Sequence, residues 1–174
     1  MKRKKIWMAT VIALTVALSG CTTPQEPTQQ PTQEETPVAD MTWQDAKAAT
    51  QATETEIAGR IPADEVASVT QMPEGTLISC GDGGHSWNGS TTVTLRDGVD
   101  ADEVVRALEP QFAGGEYDVR TRSNIAGKYE VQLVAPDRTE NYIIAEDVTP
   151  GTVRISSASP CFTLPEGVYP GGTF

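Results

Sequence analysis

The segment SWNGSTTVTLR, residues 86–96, alternates its side chains over most of its length. One set of positions carries Trp87, Thr91, Val93 and Leu95, and the other carries Thr92, Thr94 and Arg96. A period of two predicts a β-strand whose two faces carry these two sets of side chains. The dipeptide Asn88-Gly89 inside this segment is typical of a tight turn.

Further strands are predicted on both sides of this segment. Short breaks with the sequences SNIAG, APDRT and TPG separate the later ones, and connections of that length indicate antiparallel pairing. The predicted strands are TLISC (76–80), EYDVRTR (116–122), KYEVQLVA (128–135), ENYIIAEDV (140–148) and the start of GTVRISSASPCF (151–162).

Two helices complete the pattern. The first fits residues 42–58 and is capped by Thr42. Its face is weakly apolar, so we expect it to pack through Trp43 and Ile57 alone or to lie loosely against the domain. The second begins at Asp100, where Glu103 completes a capping box, and Pro110 ends or kinks it. Its buried stripe is Val104, Val105, Leu108 and Phe112.

The order α-β-β-α-β-β-β-β defines the expected fold class. We predict an α+β fold, an antiparallel β-sheet with one main helix packed on one face, plus an N-terminal helix. Residues 41–174 have the size of a single domain.

The first 20 residues have the features of a signal peptide. Basic residues at positions 2–5 precede an apolar run from Ile6 to Leu18, which is too short to span a bilayer. The run ends in Leu18, Ser19, Gly20 and Cys21, a tetrad that resembles a bacterial lipobox. That resemblance implies cleavage before Cys21 and attachment of diacylglycerol to its thiol. The alternatives are an ordinary secretory signal and an uncleaved anchor.

Residues 22–40, TTPQEPTQQPTQEETPVAD, contain almost no apolar side chains. Such a composition cannot bury enough surface to offset the entropy of ordering, so we expect a disordered tether. Together with Cys21, residues 21–40 therefore link a membrane anchor to an extracytoplasmic domain.

Cysteine parity supports this organisation. If Cys21 carries lipid, Cys80 and Cys161 remain in a compartment where disulfides persist, and we predict that they pair. Closing such a long loop stabilises a fold by about 4 kcal/mol in the chain-entropy model. The alternative is two separately buried thiols, and two Cys with one His do not make a closed zinc site.

Charge excludes one class of partner. The chain has 13 Lys and Arg against 24 Asp and Glu, and its net charge is −11. Four of those basic residues lie at positions 2–5, so the remainder is more acidic still. Nucleic-acid binding needs clustered Lys and Arg, and therefore we expect no nucleic-acid partner.

The stretches CGDG, SWNG, TVTL and ISSASPCF, with the predicted second helix and the Cys21 anchor, resemble small membrane-anchored lipoproteins of high-GC Gram-positive bacteria (actinobacteria). In these proteins a lipobox and a Pro/Thr tether precede a compact domain. The resemblance implies a location on the outer face of the cytoplasmic membrane. It carries over no catalytic residues, because many members have no assigned function.

The turn-rich loop around the single histidine is one candidate site, and we take His85, Trp87 and Asp82 as candidate ligand-facing residues. A nucleophile elbow at Ser86 needs glycine two residues later, where Asn88 stands. The sequence therefore predicts no catalytic residues, and the alternative is a turn-rich loop beside a disulfide.

Two other groups of residues have a structural and a functional interpretation. Asp97, Asp100, Asp102 and Glu103 lack EF-hand spacing, and helix capping explains them better than a metal site. Four aromatic residues either line a ligand groove or belong to the core, and these are Tyr117, Tyr129, Tyr142 and Trp87.

No motif in the sequence names a reaction, a cofactor or a ligand. We therefore expect a membrane-anchored extracytoplasmic lipoprotein that acts as a non-catalytic binding or accessory module. Its membrane contact is the lipid on Cys21, and its partner is an envelope protein or a wall polymer. The alternatives are a small cell-envelope hydrolase and a passive spacer.

Overall fold

The computed structural model describes residues 41–137 and 139–174, and the predicted signal peptide (1–20) and tether (21–40), with Cys21, lie outside them. The described residues form two helices and an eight-stranded antiparallel sheet, which confirms the predicted α+β class. Neither helix is long and apolar enough to cross a membrane. The elements are α1 (Trp43–Gly59), β1 (Val66–Gln71), β2 (Thr76–Gly81), β3 (Gly84–Leu95), α2 (Ala101–Phe112), β4 (Asp118–Ser123), β5 (Tyr129–Val134), β6 (Asn141–Glu146), β7 (Thr152–Ala158) and β8 (Phe162–Thr163).

The strand predicted from residues 86–96 is β3, and it organises the sheet. The spatial order is β1-β3-β7-β6-β5-β4, and β2 and β8 also pair with β3. β1 and β2 lie along one side of β3, while β7 and β8 lie along the other. The hairpins predicted at SNIAG, APDRT and TPG join β4 to β7 in an antiparallel meander.

Two strands were absent from the predicted order. β1 is exposed at most of its positions, so its sequence VASVTQ has no buried, apolar alternate set to reveal it. β8 contains only two residues, which pair with Gly84 and His85. Side-chain patterning cannot identify strands that bury so little surface.

Both helices cover the same face of the sheet. Asp100 caps α2 as predicted, and its carboxylate accepts hydrogen bonds from the backbone N–H groups of Asp102 (2.9 Å) and Glu103 (3.3 Å). Pro110 lies within the helix, which continues to Phe112. The main core lies between α2, the end of α1 and the sheet, and includes Ile57, Val93, Leu95, Val104, Val105, Leu108, Phe112, Val131, Leu133, Tyr142, Ile144, Val153 and Ile155.

A second, smaller core surrounds Trp87. Trp87, Ala46 and Phe162 are fully buried there. The indole Nε1 donates to the backbone oxygen of Phe174 (3.2 Å), and the Phe174 ring meets Trp43 edge-on at 5.4 Å. The start of α1 and residues 164–174 are therefore held against the same side of β3.

Gly89 lies in the middle of β3, so the interpretation of Asn88-Gly89 as a tight turn is wrong. A Cβ atom on Gly89 would lie 2.1 Å from the Cη2 atom of Trp87. A Cβ atom on Gly75 would lie 2.5 Å from Cε2 of the same indole. Glycine is needed at both positions because the Trp87 ring occupies the space a side chain would take.

The disulfide between Cys80 and Cys161 is present, as predicted, and its Cα atoms are 6.3 Å apart. Cys80 lies in β2, and Cys161 directly precedes β8. Because β2 and β8 both pair with β3, the bond joins segments that lie on either side of the same strand.

The fit of Trp87 against Gly89 predicts a large effect of one methyl group. Gly89→Ala should lower the free energy of unfolding by about 1–3 kcal/mol, because overpacking forces the ring or the backbone to move. Gly59→Ala is the matched control, since a Cβ atom there has open space around it. Urea unfolding of both variants measures the difference, and equal stability of the two would contradict this packing.

Candidate functional site

The interface between α1 and the sheet is polar at its centre. Thr42 and Asp45 form a reciprocal capping box that starts the helix, as predicted for Thr42. The buried side of α1 consists of Ala46, Thr50, Glu54, Ile57 and Ala58. The expectation that this helix packs through Trp43 and Ile57 alone, or lies loosely against the domain, is therefore wrong, because it omitted a buried carboxylate.

Glu54 is fully buried and is bound by side chains from three strands. Its Oε2 atom accepts hydrogen bonds from Thr91 Oγ1 (2.7 Å) on β3 and from Gln71 Nε2 (3.0 Å) on β1. Its Oε1 atom accepts a short hydrogen bond from Ser157 Oγ on β7. These donors satisfy the carboxyl oxygens, as buried polar atoms require.

Two buried hydroxyls adjoin this network without a hydrogen-bond partner in the described part of the chain, those of Thr50 and Tyr142. Burial, with the negative charges of Glu140 and Glu54 adding, raises the pKa of Tyr142 to about 12. An unpartnered buried hydroxyl is unfavourable by about 1–3 kcal/mol. We define Thr50, Glu54, Thr91, Tyr142 and Ser157 as the buried polar layer.

A groove of about 160 Å³ lies between α1 and α2, and it adjoins the buried polar layer. Ile57, Phe112 and Tyr117 provide its apolar surface. Its remaining lining residues are Thr53, Glu56, Arg60, Gln111, Gly115 and Glu116. A concave site with apolar walls and a few polar groups is the usual form of a small binding site, and this volume suits one side chain or a small group.

Arg60 is the basic residue of the groove lining, and it is engaged within the chain. Its guanidinium lies 4.7 Å from the centre of the Phe112 ring, and its Nη2 atom contacts Glu56 Oε1 at 2.8 Å. This pairing leaves the carboxylate of Glu116 as the remaining charged group among the lining residues.

Tyr117 connects the groove to a half-buried carboxylate. Its hydroxyl donates to Glu140 Oε1 at 3.0 Å, and its ring meets Tyr142 edge-on at 5.8 Å. Burial raises the pKa of Glu140 above its ordinary value, and the negative charges of Asp137 and Glu116 add to this effect. Tyr117 therefore lies between the groove, a perturbed carboxyl group and the buried polar layer.

The four aromatic residues for which a groove and the core were the alternatives occupy four different places. Tyr117 lines the groove and Tyr142 lies behind it in the core. Tyr129 packs under the guanidinium of Arg106, which is 3.9 Å from its ring centre, and donates a short hydrogen bond to Glu109. Trp87 belongs to the second core.

The candidate ligand-facing residues around the histidine do not form one surface. Trp87 has no exposed surface, so its assignment as ligand-facing is corrected to a core position. His85 is half-buried in β3, opposite Ser79 and Phe162, and Asp82 is exposed in the β2–β3 turn at φ 45°. Ser86 Oγ donates to the backbone oxygen of Ser159 (2.8 Å), a structural contact.

The acidic residues at positions 97–103 have a structural role at Asp100, which caps α2. Among residues 41–137 and 139–174, no group of three or more His, Cys, Asp or Glu side chains could hold a metal ion. Asp102 forms an ion pair with Arg106 at 2.6 Å, which lowers the pKa of Asp102.

Glu54 and Glu140 are the site residues that sequence reasoning missed. Helical spacing from Thr50 and Ile57 places Glu54 on the inner face, and that signal was available. Glu140 had no comparable signal, because its environment depends on Tyr117, which is distant in the sequence.

No family model, no curated protein and no solved structure matches this chain. The residues that matter for function are therefore inferred from the groove, the buried polar layer and the anchor-like tetrad at Cys21.

The buried polar layer predicts an unequal effect of two substitutions on one helix. Glu54→Ala leaves the buried hydroxyls of Thr91 and Ser157 without their acceptor, while Gln71 keeps its bond to the backbone oxygen of Gln51 (2.8 Å), and we expect the free energy of unfolding to fall by about 3 kcal/mol or more. Glu56→Ala removes an exposed carboxylate and should change it by less than about 1 kcal/mol. Chemical unfolding of both variants checks this, and a Glu54→Ala protein as stable as the control would refute it.

Proposed function

We propose that this chain is a lipid-anchored lipoprotein on the extracytoplasmic face of the cell membrane, and that its domain is a non-catalytic binding or accessory module. The observation that carries the proposal is the tetrad Leu18-Ser19-Gly20-Cys21 after a basic start and a short apolar run. Two acyl chains hold a protein stably at a membrane, so such an anchor needs no membrane-spanning helix.

Cysteine use supports the same location. Cys80 and Cys161 are joined in a disulfide, which suits an oxidising compartment. The one remaining cysteine of the chain is Cys21, at the position a lipid anchor requires. The resemblance to actinobacterial lipoproteins agrees with this assignment.

Substitution of the anchor cysteine tests the location. Cys21→Ala should abolish incorporation of radiolabelled palmitate and leave an uncut precursor, or release the domain from the membrane fraction. Cys80→Ser with Cys161→Ser is the control, since it alters thiols but keeps the tetrad. A Cys21→Ala protein that still carries lipid and stays in the membrane fraction would disprove the lipobox assignment.

The groove between α1 and α2 is the proposed binding site of the module. It offers the rings of Phe112 and Tyr117, the apolar side chain of Ile57 and several polar side chains, and its size suits a single protruding group. The partner we propose is an envelope protein or a wall polymer, of which one side chain or sugar substituent enters the groove.

A second candidate function, a small envelope hydrolase, is favoured by one observation. Glu140 has a raised pKa beside Tyr117 and near the carboxylate of Glu116, and a perturbed carboxyl group next to a concave site is typical of an acid catalyst. This candidate requires that Glu140→Gln abolish turnover while leaving binding intact.

Photocrosslinking in intact cells tests the binding site. A benzophenone amino acid at Gln111, which lines the groove, should give one reproducible product, and the same probe at Ala48 should not. Ala48 is the matched control because it is exposed on α1 outside the groove lining. Tyr117→Ala should reduce the Gln111 product.

The identity of the product separates the candidates. A protein or a wall fragment captured only from Gln111 supports a binding module. A captured fragment that the wild-type protein cleaves and the Glu140→Gln variant retains supports the hydrolase. Equal products from Gln111 and Ala48, or none from either, would refute the groove as the site and favour a passive spacer.

A further inference from the structure

The sheet has two edges of different character. β4 forms one edge, and β1 forms the other, continued by β2 along the same side of β3. An edge strand presents unpaired backbone N–H and C=O groups, which can pair with another extended segment.

The backbone groups that point outward from β1 follow from its pairing with β3. Met72 N–H donates to the oxygen of Ser90 (3.0 Å), the residue that continues the β1–β3 register. Inward and outward groups alternate along an antiparallel strand. The N–H and C=O groups of Val69 and Gln71 therefore point away from β3.

The same reasoning applies to β4. Asn124 N–H donates to the oxygen of Lys128 (2.9 Å), which continues the β4–β5 register, so Thr121 points outward. β4 carries Asp118, Arg120 and Arg122, and charged side chains on an edge discourage strand addition. β1, with the sequence VASVTQ, has no charged residue and no proline.

Exposed apolar side chains lie along the β1–β2 side. Val69 is 48% exposed, Met72 47% and Ile78 56%. Where β1 gives way to β2, a pocket of about 360 Å³ opens on the sheet face away from the helices, lined in part by Met72, Glu74, Asn88, Arg154 and Ser156. An added strand would place alternate side chains over these residues and into this pocket.

The charge of this edge selects among occupants. Asp64, Glu65 and Glu74 lie just before and after β1. The cations nearby are Arg96, whose backbone bonds that of Glu65, and Arg154 in the pocket lining, which is paired with Asp147 at 3.1 Å. Acidic groups therefore outnumber basic ones at this edge. A second copy paired through β1 would bring these acidic groups together, which is unfavourable. An extended segment with Lys or Arg between its apolar residues has complementary charge.

We propose that the β1 edge, centred on the outward backbone groups of Val69 and Gln71, binds an extended segment of a basic partner protein by strand addition. Main-chain hydrogen bonds to these two residues give the affinity, and the acidic surroundings select Lys and Arg. This surface is separate from the groove between α1 and α2, so either can fail without the other.

The probe is a fluorescein-labelled peptide of alternating residues, Lys-Val-Lys-Val-Lys-Val-Lys, titrated with the purified full-length protein in mild detergent. We expect fluorescence anisotropy to give a Kd below about 100 µM. A peptide with Glu in place of Lys should not bind. Alternate N–H groups of the bound peptide face β1, and the others face away from it. N-methylation of the set that faces β1 should therefore abolish binding, and N-methylation of the other set should not.

Two proline variants provide a matched comparison. Val69→Pro removes an outward N–H from β1 and places a proline ring at the edge where the added strand would lie. The lost main-chain hydrogen bond and the poorer contact between the two strands should weaken binding about tenfold or more. Thr121→Pro removes an outward N–H from β4 and should leave the Kd unchanged. Val69→Lys keeps the N–H but adds a positive charge that repels the Lys peptide, so it should also weaken binding. It takes the place of Val69→Pro if the proline variant does not fold.

Several results would overturn the proposal. Failure of the Lys peptide to bind, or equal binding by the wild-type, Val69→Pro and Val69→Lys proteins, would exclude the β1 edge. If N-methylation left the Kd unchanged for both alternate sets of peptide residues, the peptide would bind through charge alone and not by strand addition. Self-association of the protein that Val69→Pro abolishes would assign the edge to a second copy.

Discussion

β3 is the strand on which the rest of the sheet and the position of α1 depend. Its 12 residues pair with four strands, β1 and β2 on one side and β7 and β8 on the other. The face it turns toward the helices is divided into three zones along its length. Trp87 enters the second core, Thr91 holds the buried carboxylate of Glu54, and Val93 and Leu95 enter the main core. A shift of one residue in this strand would exchange the contents of all three zones, so its register is strongly specified.

The middle zone explains how α1 is positioned. Glu54 is bound by donors on β1, β3 and β7. These three bonds together fix the rotation of α1 about its axis and its position along that axis relative to the sheet. Apolar packing alone would constrain α1 less, because its buried face consists mostly of Ala and Thr apart from Ile57. A polar contact of this kind favours one arrangement rather than adding much stability. The groove between α1 and α2 inherits its shape from that arrangement, since Thr53 and Ile57 flank Glu54 on the same helix.

The elements that the sequence revealed are those with a regular buried face. The strand at 86–96, the α2 stripe and the β4–β7 meander were predictable because apolar residues recur at the period of each element. β1 was not, since neither of its faces is buried. The inner face of α1 was misjudged because its buried residues include the polar Thr50 and Glu54. The disulfide followed from counting cysteines. The groove could not be predicted in this way, because it forms where Tyr117 and Phe112 meet α1, and no pattern in the neighbouring sequence indicates that tertiary contact. Trp87 shows the opposite error, because a lone aromatic residue beside a histidine suggested a ligand site where the structure has a core.

The pairing of β3 with β7 has a consequence for the speed of folding. Thr94 pairs with Thr152 across α2 and three intervening strands, whereas the contacts within β4–β7 join neighbours in the sequence. Chains whose contacts are distant in sequence fold slowly, because a long loop must close before the contact forms. We therefore expect the β4–β7 meander to form early, with the edge of β7 uncovered until β3 joins it. During that interval β7 is the strand most open to mispairing, and a chaperone that binds unpaired strands would protect it best.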